Sequence, residues 1–377
     1  MTRSAFDLAL DAEVIAARTE GHLMAQPELS GLWHAEVAIS EAVASVGMED
    51  VRISEGDILS RIAENRTDTA EARALEDALR LYKILRRPGQ FPDDLGALAR
   101  RIGTFFPEGQ VSVDLMTKVF EGCVGRAPVM EALRATAIFG AGTGFRAPMA
   151  ERAVFMIADH IARRAAAHDV RYRDDLRGLS GPVQAYWVAA PSIALTRSRF
   201  ALWRPQTEFG VEAILEHLAT SMHSDLGKLI SLRTWLDIKE TMRAEERKSS
   251  RAGEAADLFG INPVMTSDYL AASIGVTPRG ALGILDRLVE YGLVVEVTRR
   301  RSARIWATPG LAALLAQRAE RMPREGGGRA QDVSREGEEA GFAQRSDMRD
   351  ANLDDAFAEM DAALATFDAI MERIQKR

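Results

Sequence analysis

The chain is short of sulfur, of aromatics and of long apolar runs, and each shortage removes a class of protein. One cysteine, Cys123, stands among 377 residues. An internal disulfide framework and a site built on several thiolates are therefore excluded, and Cys123 reads as a small buried hydrophobe. No uninterrupted apolar stretch approaches the roughly 18 residues that a membrane span needs. The first residues are broken by Asp7, Asp11 and Glu13 and do not read as a secretory leader. The expected compartment is the cytoplasm. Aromatics make up only 6% of the residues, while Ala, Leu and Arg are abundant, a composition that leans helical. Excess positive charge is also missing. At a formal net charge of −7 the protein is no general coat for nucleic acid, so any DNA contact must come from a local basic patch.

Such a patch lies in Met265 to Gly310. Thr266 or Ser267 caps a short helix to about Ala272, and Gly275 turns the chain. Thr277 is a good N-cap, with Pro278 at the first helical position, where its missing N–H costs nothing. Ala281, Ile284, Leu285, Leu288 and Val289 then fall on one apolar helical face, and Gly292 stops the helix. Leu293 to Thr298 and Arg304 to Thr308 read as two strands around an Arg299–Ser302 turn. Helix, turn, helix and hairpin in this order resemble the winged helix-turn-helix superfamily of transcription regulators. The resemblance implies that the second helix enters the major groove. Its outward positions are Arg279, Gly283, Asp286 and Glu290. Arg279 is the strong reader of base edges, and Thr277 adds a base or phosphate contact. Asp286 and Glu290 would repel phosphates unless they lie beyond the groove. Arg299, Arg300, Arg301 and Arg304 are the candidate phosphate grips of the wing. An Arg-rich turn is also compatible with a merely solvated loop, and winged helices also serve as protein-interaction modules.

Upstream, periodicity predicts a mainly α chain. Ser4 to about Thr19 reads as an amphipathic helix with Phe6, Leu10, Val14 and Ile15 on one side. Further helices are expected over Leu32–Val46, over Ile58–Arg66 and from Thr69 to a stop at Pro88. Others are expected over Asp93–Gly103, over Ser112–Gly122 and from Pro148. Gly181 to Trp203 reads as a buried connection anchored by Trp187, Phe200 and Trp203. Thr207 to about Met242 is helical, and Arg243 to Arg251 is a charged linker or frayed end. Glu254 to Phe259 begins the winged unit, and Leu311 to Gln317 closes it. The expected layout is a multi-helix domain over 1–250, a winged helix-turn-helix over 251–319, a disordered linker over 320–350 and a heptad helix over 351–377. In the last, Leu353, Phe357, Met360, Leu364, Phe367, Met371 and Ile374 step by alternating fours and threes. That seam either folds back on the body or joins two copies into a homo-oligomer.

Two upstream stretches invite chemistry. Gly140, Gly142, Gly144 and Arg146 form a glycine-rich candidate anion loop ahead of a helix start. It lacks the Gly-Lys-Ser/Thr of a P-loop and the Gly-x-Gly-x-x-Gly spacing, so a plain connector is the competing reading. Ser45 and Glu49 match the Ser/Thr, three residues, Glu pattern of the regulatory helix in the Fic family, although Asp50 departs from the Gly or Asn that follows there. The chain resembles that family distantly, with a helical body before a winged helix, but it has no catalytic His-Pro-Phe or Gly-Asn-Gly-Arg segment. The base for nucleotidyl transfer is therefore lacking. The histidines form no constellation: His160 and His168 lie about 12 Å apart on one predicted helix, and His217 and His223 point to different faces. No catalytic, metal or cofactor site is expected. Over most of its length the chain also resembles a family of helix-turn-helix proteins from rhizobia and related alphaproteobacteria, often plasmid-encoded. In these a helical domain of unknown function precedes a DNA-binding domain. The Trp33–Leu85 region and the winged unit carry the likeness, which implies transcription control or replicon-associated binding of double-stranded DNA. The alternatives are a degenerate Fic-like nucleotide-binding protein and a protein-interaction adaptor.

Overall fold

Helices dominate the computed structural model, which describes residues 4–49, 53, 56–58, 73–86, 94–168, 187–200, 202–246, 250–297 and 304–312. The first two are α1 (Ala5–Ala25) and α2 (Pro27–Gly47). Ser4 caps α1 in a reciprocal box with Asp7. Gln26 is the joint, and Pro27 opens α2 at a position that needs no N–H. There follow α3 (Arg73–Arg86), α4 (Leu95–Gly103), α5 (Val113–Glu121), α6 (Pro128–Thr143) and α7 (Pro148–His168). Next come α8 (Pro191–Arg197) and α9 (Glu208–Glu245). Asp94, Ser112 and Thr207 cap α4, α5 and α9 through their side chains.

The body is built around α2. Leu32, Trp33, Ala35, Ala38, Ile39, Ala42, Val43 and Val46 are all buried, so apolar residues cover most of its circumference, the pattern of an interior helix. It touches α1, α3, α7, α8 and α9. α6 and α7 form the most intimate helix pair, joined by a short turn, and α1 lies along α9. Trp187 is fully buried and donates its indole N–H to Leu85 O at 2.9 Å. Phe200 and Trp203 are only half-buried against the core.

The C-terminal part adds α10 (Ala252–Ile261), β1 (Val264–Thr266), α11 (Ser267–Ile274), α12 (Pro278–Glu290), β2 (Val295–Glu296) and β3 (Ile305–Ala307). The strands form an antiparallel sheet in the order β1-β3-β2, with Met265 and Glu296 both opposite Trp306. Thr266 and Thr277 cap α11 and α12, and Pro278 sits in the first turn of α12. Gly292, at φ +75°, lets the chain leave α12 with Leu293 N–H on Leu288 O at 2.9 Å, a closure that a side chain would strain.

Four expectations need correction. Phe6, Leu10 and Val14 face outward, and α1 buries Leu8, Ala12, Ile15, Ala16 and Leu23 instead. α6 is not among the expected helices, and its last turn contains Gly140 and Gly142 of the candidate anion loop. The expected hairpin is part of a three-stranded sheet, because Val264–Thr266 pairs with β3. Val289 lies exposed beside the apolar face of α12, which is made by Ala281, Leu285 and Leu288. Most of the predicted 58–66 helix, the 320–350 linker and the 351–377 heptad helix lie outside the described residues, which include only Leu311 and Ala312 of the expected closing helix, at the end of a helical turn over 309–312. Among the described residues no helix is long and apolar enough to cross a membrane.

Candidate nucleic-acid interface

The candidate site starts from the first turn of α12. Thr277 Oγ1 accepts the Gly280 N–H at 3.1 Å, which fixes the start of the helix and leaves the hydroxyl hydrogen to donate outward. Arg279 stands beside it, exposed, with no ion pair or side-chain hydrogen bond among the described residues. Gly283, Asp286 and Glu290 continue the exposed face. The cationic end of this face is thus its N-terminal turn, and its acids Asp286 and Glu290 lie about two and three turns further on. Arg287, also exposed, is tied down by Glu246 at the end of α9.

Arg304 sits on the hairpin stem. Its guanidinium lies over the Trp306 ring, 4.8 Å from the centroid, and pairs with Glu296 on β2. The hydrogen bond to Glu296 raises its already high pKa, and Asp286 adds to the effect. It is therefore a brace between strands, not an unengaged grip. Arg299, Arg300 and Arg301 lie outside the described residues.

The module is fastened to the body at several points. Trp235 of α9 donates to Leu293 O at 2.7 Å, and Gly260 of α10 lies against the same indole. Lys239, buried beside that ring, bridges Glu28 at 2.5 Å and Asp257 at 3.3 Å. Tyr291 donates to Glu245 at 3.0 Å. Arg86 reaches Ile261 O and, at 2.9 Å, Asn262 Oδ1. On α2, partly buried Glu36 accepts from Thr308 Oγ1 at 2.5 Å, and burial pushes its pKa up to about 7.

The glycines of the candidate loop do not offer free amides. Gly140 and Gly142 are helical, and a Cβ on either would come within 2.5 Å of Phe145 or Leu115. Gly144 turns left-handed at the helix end, with its N–H on Ala141 O at 3.2 Å, and Phe145 N–H takes Gly140 O at 2.7 Å. Arg146 Nε bonds Thr143 O at 3.4 Å, and its guanidinium lies over Phe106. Tight packing of Phe145 and Leu115 against α6 explains these glycines.

Sequence reasoning passed over a set of buried ionic groups in the body. Arg152 of α7 donates to Ser45 Oγ at 2.9 Å, Ser45 O at 2.8 Å and Glu49 at 2.5 Å. Ser45 and Glu49 are thus joined by one guanidinium that closes the end of α2. Arg163 pairs with Asp159 at 2.9 Å and Glu20 at 2.6 Å; burial works against its charge, and those two carboxylates more than offset it. Carboxylates also gather buried amides that have no intrahelical or ladder partner, in an irregular segment and at helix starts. Asp159 takes the N–H groups of Val188 and Ala189, and Glu41 those of Ser192 and Ile193 at the start of α8. Glu13 takes Met130 N–H at 2.9 Å, and burial pushes its pKa up to about 7. His34 is packed between Ser30 O at 2.7 Å and Trp187 O at 2.8 Å, and burial lowers its pKa to about 4. A signal for this set was present: Arg152, Asp159 and Arg163 are spaced 7 and 4 apart, one line along α7. Among the described residues no group of His, Cys, Asp and Glu is arranged to hold a metal ion.

No protein-family model matches this chain, and no curated protein is detectably similar to it.

Proposed function

We propose that residues 251–319 form a winged helix-turn-helix that binds double-stranded DNA, and that the protein is a transcriptional regulator or a plasmid-associated DNA-binding protein of the cytoplasm. The helical body holds and orients the module. The observation that carries this reading is the first turn of α12, where Thr277 and Arg279 point outward and Arg279 has no described partner. Neighbouring cations Arg287, Lys239 and Arg304 are each tied to a carboxylate. The order α10, β1, α11, α12, β2, β3 and the β1-β3-β2 sheet support the reading, because that arrangement backs an exposed helix with a small sheet and a hairpin. In this scheme Arg279 bonds a guanine edge and Thr277 a base or phosphate. Arg299, Arg300 and Arg301 hold backbone phosphates from the hairpin tip. Arg304 keeps the stem in shape.

The test is fluorescence anisotropy with labelled duplex from upstream of the protein's own coding sequence and with random-sequence duplex, over a salt series. Arg279→Ala should narrow the gap between the two duplexes by about 1–3 kcal/mol. Replacing Arg299, Arg300 and Arg301 by Ala should weaken binding to both, and flatten the log–log salt slope by about 0.9 for each phosphate no longer held. Absence of binding at low salt, or binding indifferent to both sets of changes, overturns the assignment.

A further inference from the structure

The outward face of α1 does not look like a solvent face. Phe6, Leu10, Val14, Ala17, Gly21 and Met24 step by 4, 4, 3, 4 and 3 along it. At about 100° per residue they fall within an arc of about 80°. All six are exposed: Phe6 and Leu10 at 39%, Val14 at 41% and Met24 at 40% are among the exposed large hydrophobics, and a Cβ on Gly21 would meet nothing within 4 Å. The stripe contains no charge and runs the length of a helix of 21 residues, about 32 Å. The opposite side of α1 is already committed to the body through Leu8, Ala12, Ile15 and Leu23. α1 is therefore apolar on two opposed faces, and only one is covered.

We propose that this face is a self-association surface, on which a second copy of the chain packs its own α1 antiparallel about a twofold axis. Two features of the stripe choose a second copy. The first is size: the bulky side chains lie in the N-terminal half, and the small ones lie towards the C-terminal end, followed by Met24. An antiparallel register in which paired positions sum to about 30 sets Leu10 against the partner's Gly21 and Val14 against the partner's Ala17. Phe6 then meets the partner's Met24. The second is charge. One flank of the stripe carries Asp7 and Asp11 in its first half and Arg18 and His22 in its second. In an antiparallel twofold pair a flank faces itself reversed, so Asp11 comes beside the partner's Arg18 and Asp7 beside the partner's His22. A parallel pair would bring like ends of the stripe together and lose both matches. The net-acidic 351–377 segment is the poorer occupant, because its carboxylates would have to pass Asp7 and Asp11. A self-complementary patch used by both copies is the usual form of a twofold interface. One helix per side is small for a protein interface, so the dimer is concentration-dependent.

Sedimentation velocity of the full chain across the micromolar range tests this. The wild type should shift from monomer to dimer. Leu10→Lys should stay monomeric with an unchanged melting temperature, since Leu10 touches water in the monomer. Asp11→Arg and Arg18→Asp should each weaken association about tenfold, and the two together should restore it. Mixing Leu10→Cys with Gly21→Cys protein should give an intermolecular disulfide that neither gives alone, Cys123 being buried. A wild type monomeric throughout overturns the proposal. So does a dimer indifferent to Leu10→Lys, or one lost on removing residues 351–377 with the stripe intact, which would assign the contact to the C-terminal seam.

Discussion

The helical body and the C-terminal module use charge in opposite ways. In the body, Arg152, Arg163, Asp159 and Glu41 are buried and consumed in joining α2, α7, α8 and the segment before α8. In the module the core is apolar, made by Leu270, Ala281, Leu285, Leu288 and Trp306. Its charges stand outside, and Arg279 is offered to solvent without a described partner. A buried arginine closes a structure, and an exposed one at a helix start is available to a ligand. The contrast directs the search for a ligand surface to the smaller part, which has the less elaborate interior.

The sharpest way to break this contrast is to remove one arginine from each region. Arg163→Met should cost about 3–5 kcal/mol, because Asp159 stays buried without its cation. Arg279→Met should change stability by no more than about 0.5 kcal/mol. Urea denaturation of both variants measures the two numbers, and similar losses would erase the distinction.

The seam between the regions carries a smaller, pH-dependent effect. Glu36 has a reference pKa of 4.5, and in the fold burial pushes it to about 7. The folded state therefore holds the proton more tightly. That stabilisation is complete below about pH 4.5 and is lost as the pH rises through about 7. Glu36→Gln keeps an acceptor for Thr308 and never ionises. It should match the wild type at low pH and exceed it by about 1–3 kcal/mol above pH 7, by denaturation at several pH values. A difference that stays constant with pH would mean that Glu36 does not titrate in the seam.

A smaller loss is expected at the first turn of α12. Thr277→Ala should cost about 1 kcal/mol through loss of the α12 cap, and Thr277→Ser should retain it. Thermal melts of the two variants check this. Equal losses would show that Thr277 acts through its methyl group and not its oxygen.

Legibility follows the same divide. The helices of the module were readable because local signals set their ends: Thr277 then Pro278 at one start, Gly275 and Gly292 at two stops. β1 was not, since three residues are too few to show a period, and the strand exists only because β3 lies beside it. In the body the existence of α1 was legible and its orientation was not. Two apolar faces compete in that helix, and the larger side chains won the reading while the smaller ones, Ala12 and Ala16, fit the close approach to the body. The last turn of α6 was hidden by glycines that look like a loop and serve close packing. The ionic groups of α7 depend on partners more than a hundred residues away, as in Arg152 with Ser45 and Arg163 with Glu20.

The length of α9 has a mechanical consequence. Its 38 residues make a beam of about 57 Å that begins in the body and ends under the module, where Trp235 holds Leu293. Severing the chain near residue 250 would strand that indole in water and deprive the sheet of its footing. Bending the beam would instead re-aim Arg279 while leaving the interior of the module as it is.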